Sequence, residues 1–337
     1  MFKDYLNFLS KVTFKRAKNA LGLVFGFIWS KYSKGNKNSY LPVALAFEPT
    51  TSCNLRCPEC PSGLRSFTRP TGMLSKSLFE KTIDELKDAL LYLTFYFQGE
   101  PYLHPDFLEM VKFAAERKVY TSTSTNAHYL DYANAVKTVE SGLDRLIISI
   151  DGTTQETYKA YRVGGDLKKV IAGTKNIIQA KKDLNSSTPH VIFQFLVVGP
   201  NEHQIEDVKA LAKEMGVDEL RLKTAQIYDY ENGSEFIPQN DKYARYKKLA
   251  NGKFQIKNKL IDHCWKMWHS CVITWDGLVV PCCFDKDAEY RMGDVSKKTF
   301  TDVWNSEVYL NFRKKLISGR KNIEMCKNCT EGTKIWG

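Results

Sequence analysis

Three cysteines in the stretch "EPTTSCNLRCPECPSG", Cys53, Cys57 and Cys60, constrain this chain more than any other feature. Their C-x3-C-x2-C spacing offers three thiolates, an odd number for a tetrahedral metal or a cubane cluster, and leaves the fourth position to be filled. The nine cysteines fall into two groups, the second being Cys264, Cys271, Cys282, Cys283, Cys326 and Cys329. A 337-residue chain with grouped cysteines and no signal peptide reads as a metal-binding protein of a reducing compartment rather than a secreted disulfide scaffold.

From residue 41 the pattern alternates between β-rich runs and helical periodicity. Strands are expected at 43–48, 91–97, 119–124, 145–151, 190–198 and 219–225. Helices are expected near 75–90, 106–118, 130–141, 166–184 and 202–215, with Ser75 and Asp106 as N-caps. This alternation predicts βαβ units and a mostly parallel sheet or barrel, whose ligand site gathers at the carboxyl ends of the strands. The first cysteine group follows the first strand and so falls there. Residues 227–262 read as a loop-rich link. Beyond it, "CVITWDGLVVPCC" predicts a hairpin turning at Asp276 and Gly277.

Charge separates the N-terminal segment from the rest. Of the formal +11, residues 1–40 carry +7, which leaves +4 on the other 297 and no basic-aromatic pattern of a nucleic-acid module. Within 1–40, Phe14, Ala17, Leu21, Val24, Phe25 and Ile28 recur at helical spacing. The uncharged run Ala20 to Trp29 is half the length of about 20 residues that a bilayer span needs. Two readings stay open: a helix packed on the domain, or an interfacial helix on anionic lipid.

"CNLRCPEC" resembles the cluster-binding signature of the radical S-adenosylmethionine (SAM) enzymes. "FQGEPYLHPDF" is similar to their GGEP motif with Gln98 for the first Gly, and "SIDGTTQETYKAYRVGGDLKKV" is similar to a stretch of members carrying a SPASM or twitch auxiliary-cluster domain. The resemblance implies an α/β fold: a partial (β/α)6 barrel over 41–226, then the link, then a small cysteine-rich auxiliary-cluster domain over 263–337.

It also implies how the fourth position is filled. Cys53, Cys57 and Cys60 would hold a 4Fe-4S cluster whose open iron is chelated by SAM, which a one-electron donor such as flavodoxin or ferredoxin helps cleave to a 5'-deoxyadenosyl radical. Gly99 and Glu100 match the motif for the SAM amino group, Ser149 and Asp151 would lie near its ribose and carboxylate, and Arg162 would hold the carboxylate. Thr125 and Asn126 are further candidates. Cys264, Cys282, Cys326 and Cys329 would hold an auxiliary 4Fe-4S cluster. Cys283 is an alternative to Cys282, and Cys271 is either a ligand or a buried thiol.

A spare thiol such as Cys283 would return hydrogen to a substrate radical; without one, Asp285 would act as base in a dehydrogenation. The expected substrate is a peptide, a protein side chain or a carbohydrate-like small molecule, and the expected location is cytoplasmic with peripheral membrane contact left open. A non-catalytic zinc or iron-sulfur module is the alternative.

Overall fold

The parallel sheet forms where the β-rich runs predict it. The computed structural model describes residues 2–33 and 40–332, so the parts of the predicted N-terminal segment at 34–39 and of the cysteine-rich unit at 333–337 lie outside it. Strands β1 (Ala44–Phe47), β2 (Tyr92–Thr94), β3 (Tyr120–Thr125), β4 (Arg145–Ser149), β5 (His190–Val197) and β6 (Glu219–Thr224) pair in parallel in chain order. Each expected helix lies between its strands, at Lys76–Leu86, Phe107–Glu116, Tyr132–Glu140, Leu167–Asp183 and Ile205–Met215. Ser75 caps the first, accepting from the Leu78 N–H, whereas Asp106 occupies the cap position of the second without a side-chain cap bond. A further helix, Gln155–Tyr161, went unforeseen because it is only seven residues long.

The later elements build on the same sheet. The expected link contains a hairpin of β7 (Tyr246–Lys248) and β8 (Phe254–Ile256). The predicted hairpin turning at Asp276 and Gly277 is β9 (Ser270–Ile273) and β10 (Leu278–Val280), followed by β11 (Gly293–Asp294). Strand β9 pairs in parallel with β1, so the cysteine-rich unit continues the barrel sheet on its β1 side, with Cys271 level with Leu45. The sheet among the described residues runs β11-β10-β9-β1-β2-β3-β4-β5-β6 and stays open at β6.

The N-terminal segment is two helices, α1 (Phe2–Ser10) and α2 (Phe14–Ser33). Helix α1 closes the lower end of the barrel: buried Asp4 meets Tyr120 and Arg145, and Lys11 pairs with buried Asp144 at 2.5 Å. Helix α2 packs through Leu23 and Phe27, the latter 5.2 Å from the rings of both Trp265 and Trp268. The predicted apolar positions Phe14, Leu21, Phe25 and Ile28 face outward. The reading of a helix packed on the domain therefore holds for one side of α2, and the other side leaves these apolar side chains exposed. No helix among the described residues is long and apolar enough to cross a membrane.

Candidate active site

The C-x3-C-x2-C loop leaves β1 and lies over the carboxyl ends of the parallel strands. Its shape is held from two sides: the Arg56 N–H donates to the Val163 carbonyl at 2.8 Å, and the Asn126 side chain donates to Asn54 Oδ1 at 2.8 Å. Beside the loop is a cavity of about 280 Å³ lined by all three cysteines and by Gln98, Gly99, Glu100, Ser149 and Arg162, so the first strand's loop meets the ends of β2, β3 and β4.

Each wall has a physical reason for its residue. Gly99 has φ +74°, and a Cβ there would sit 2.1 Å from the Thr50 carbonyl oxygen, so only glycine lets the QGEP turn pass the β1 loop. Its N–H donates to Ser62 Oγ at 2.9 Å. Gln98, which departs from the family motif, lies with its Oε1 3.7 Å from Cys60 Sγ.

Glu100 is buried, and its carboxylate accepts from Thr125 Oγ1 at 2.7 Å, the Asn126 N–H at 2.8 Å and the Tyr102 N–H at 3.3 Å. Burial pushes its pKa up to about 7, against the lowering by these donors. Opposite, Arg162 donates from Nε to Asp151 at 2.5 Å and holds Nη1 3.8 Å from Cys57 Sγ. Asp151 is fully buried; its second oxygen accepts from the Leu196 N–H at 2.7 Å, so it aims the guanidinium rather than lining the cavity. Ser149 does line it, with Ser124 3.5 Å away.

The thiols suit a metal cluster. Burial pushes Cys53 up to about 11 and raises Cys57, so their thiolates need a cation to stabilise them. No three His, Cys, Asp or Glu among the described residues are gathered around a single metal ion. A cubane makes a different demand, one thiolate on each of separate irons.

The second cysteine group converges from three segments. Cys264, Cys282, Cys326 and Cys329 are buried. The Trp265 N–H donates to the Gly332 carbonyl at 2.8 Å, and a Cβ at Gly332 would meet Cys264 Sγ at 2.1 Å, so the chain after Cys329 folds directly onto Cys264. Arg320, unforeseen in the sequence, is buried there; its guanidinium donates to the His263 and Glu331 carbonyls at 3.1 and 2.8 Å and forms no ion pair with a carboxylate among the described residues. Its Nη2 donates to Cys329 Sγ at 3.2 Å, and Cys264, Cys326 and Cys329 all raise its pKa against the lowering by burial. A buried guanidinium surrounded by thiols is suited to the negative charge of a thiolate-ligated cluster.

The remaining candidates separate. Cys271 is buried on β9, beside Tyr309 and away from the cavity. Cys283 is exposed beside Cys282, with Lys266 Nζ 3.9 Å from its sulfur. The Asp285 carboxylate accepts from the N–H groups of Glu289 and Tyr290 at 2.8 and 2.9 Å, outside the cavity wall. It braces its own loop, whose next residue, Lys286, does line the cavity. That lysine was passed over in the sequence, where a residue between two aspartates looks like solvated loop.

Comparison with known proteins supplies the family context. The Radical SAM superfamily model matches residues 47–215, and the SPASM model, an iron-sulfur cluster-binding domain, matches 264–330. A tungsten-containing aldehyde ferredoxin oxidoreductase cofactor-modifying protein of Pyrococcus furiosus is 26% identical over 319 residues, 85% of this chain and 86% of that protein. The PqqA peptide cyclase of Gluconobacter oxydans is 23% identical over 314 residues, 88% of this chain and 85% of that one. Among solved structures, Streptococcus suis SuiB bound to S-adenosylmethionine has a TM-score of 0.64 at 16% identity, covering 90% of this chain and 75% of that chain, a likeness of fold.

Proposed function

The chain belongs to the radical SAM superfamily, with a SPASM iron-sulfur domain, and from that premise we propose that it is a maturase modifying a peptide or a cofactor by hydrogen abstraction. SAM, a 4Fe-4S cluster and auxiliary iron-sulfur chemistry come with these two domains. Bound together, they would supply one-electron reductive cleavage of SAM and with it the means of hydrogen abstraction. The observation that carries the reading is the single cavity in which three thiols face a fixed carboxylate, Glu100, and a fixed guanidinium, Arg162.

In this reading Cys53, Cys57 and Cys60 hold the cluster, Glu100 accepts from the SAM amino group, and Arg162, aimed by Asp151, holds the SAM carboxylate. Ser149 faces the ribose, while Asn126 shapes the cysteine loop through Asn54. Cys264, Cys282, Cys326 and Cys329 hold the auxiliary cluster. Cys283 is exposed where Cys271 is buried, but like Cys271 it lies outside the cavity wall, so return of hydrogen by this thiol would require substrate to extend beyond the cavity. A flavodoxin or ferredoxin would deliver the electron.

The names of the relatives, a cofactor-modifying protein and a peptide cyclase, support the substrate class. Anaerobically reconstituted protein should bind about eight irons and release 5'-deoxyadenosine from SAM under dithionite. A colourless, iron-free preparation would instead favour the zinc module.

Peripheral membrane contact is supported by a separate observation. Phe14, Leu21, Phe25, Trp29 and Tyr32 stand exposed along α2, while Phe2, Tyr5, Leu6 and Leu9 stand exposed on α1, within the +7 segment. Since α2 also packs on Trp265 and Trp268, removing the helix would disturb the domain. The test is therefore F25S/W29S: sedimentation with anionic vesicles should fall, and unchanged sedimentation would refute the contact.

A further inference from the structure

The loop after Cys283 is braced at two points around Lys286. Asp285 accepts from the Glu289 and Tyr290 N–H groups, and Asp287 accepts from the Thr68 and Arg69 N–H groups at 3.0 and 3.4 Å. Between them, the Lys286 carbonyl accepts from Arg69 Nε at 3.2 Å. Arg69 is itself locked by a buried two-point pairing with Glu48, at 2.9 and 2.6 Å, at the end of β1. These bonds fix the Lys286 backbone, so its side chain starts from a set point on the cavity wall.

The ammonium so presented lacks what its neighbours have. Arg162 is paired with Asp151, Lys266 with Glu331, and Arg69 with Glu48. Lys286 forms no ion pair and no side-chain hydrogen bond among the described residues; its ammonium lies 4.7 Å from the centre of the Tyr228 ring. The nearby Glu59 carboxylate is engaged by the Tyr228 N–H at 2.9 Å. Of the cations around it only Arg245 also lacks an ion pair among the described residues, and that guanidinium donates to the Thr224 carbonyl at 3.2 Å and does not line the cavity. A partly buried cation on the cavity wall with no carboxylate partner is suited to an incoming anion.

We infer that Lys286 docks an anionic group of the substrate, a carboxylate or a phosphate, on the wall of the SAM cavity nearest the SPASM loop. The inference rests on the radical SAM reading of that cavity and adds the charge its substrate must carry. Lys286 is a positioning residue: it orients the substrate and takes no part in the hydrogen transfer.

The test uses anaerobically reconstituted full-length wild type, K286M and K286R, saturated with SAM and titrated calorimetrically with N-acetylglycine or inorganic phosphate. Wild type should bind one of the two, K286M should bind it at least about tenfold more weakly, and K286R should retain most of the affinity. Preference for N-acetylglycine assigns a carboxylate; preference for phosphate assigns a phosphate. Equal anion binding by wild type and K286M, or no binding by wild type, would overturn the inference. So would a parallel loss of SAM affinity in K286M, since Lys286 would then serve the carboxylate of SAM itself. Failure of the wider reading is seen separately, as wild type that forms no 5'-deoxyadenosine from SAM under reductant.

Discussion

The two cysteine sites are built on opposite plans. Cys53, Cys57 and Cys60 come from one loop and open onto a cavity with a carboxylate and a guanidinium on its walls. Cys264, Cys282, Cys326 and Cys329 come from segments more than 60 residues apart at the extremes and are all buried, Cys264, Cys326 and Cys329 around the Arg320 guanidinium. An open site made by local spacing has room for a ligand; a closed site made by distant segments ties the chain together.

The largest break in that contrast should come from C57A. It should abolish 5'-deoxyadenosine formation while leaving about four of eight irons, counted by iron assay, with little change in melting temperature. C326A should do the reverse structurally: the auxiliary irons are lost and the melting temperature falls clearly, because metal binding across distant segments is folding energy. Equal melting shifts in the two variants would erase the distinction.

Glu100 sharpens the open site. E100Q should weaken SAM binding by about 10- to 100-fold, measured by calorimetry. In wild type the Glu100 carboxyl, raised to about 7 by burial, is charged mainly above that pH. SAM affinity should therefore fall as pH drops from 8 to 6, and E100Q should flatten that dependence. The smallest effect belongs to Arg320: R320M removes a donor to Cys329 and a buried positive charge, and should lower the auxiliary reduction potential by tens of millivolts in an EPR-monitored titration.

Much of this was legible because it is local. The cysteine spacing, the QGEP turn and the strand-helix alternation depend on residues a few positions apart, and the parallel sheet follows from them. The exchange of roles within "CCFDKD" was not legible: Asp285 reads as a base, yet it braces a turn, and the lysine beside it faces the cavity. Asp151 likewise carries a motif position but acts through Arg162. A helical N-terminal segment over 1–40 was legible, but its division into two helices and the docking of α1 were not, because the partners of α1, Tyr120, Asp144 and Arg145, are more than a hundred residues away.

The chain's own spacing determined that three thiols would stand at the mouth of a parallel sheet, one ligand short of a closed site. Which charges meet there was decided only in three dimensions. Ion pairs and hydrogen bonds act over a few ångströms of space, whatever the separation along the chain. So Glu48 reaches Arg69, Arg69 reaches the Lys286 carbonyl, and a loop of the cysteine-rich unit completes a cavity begun more than two hundred residues earlier.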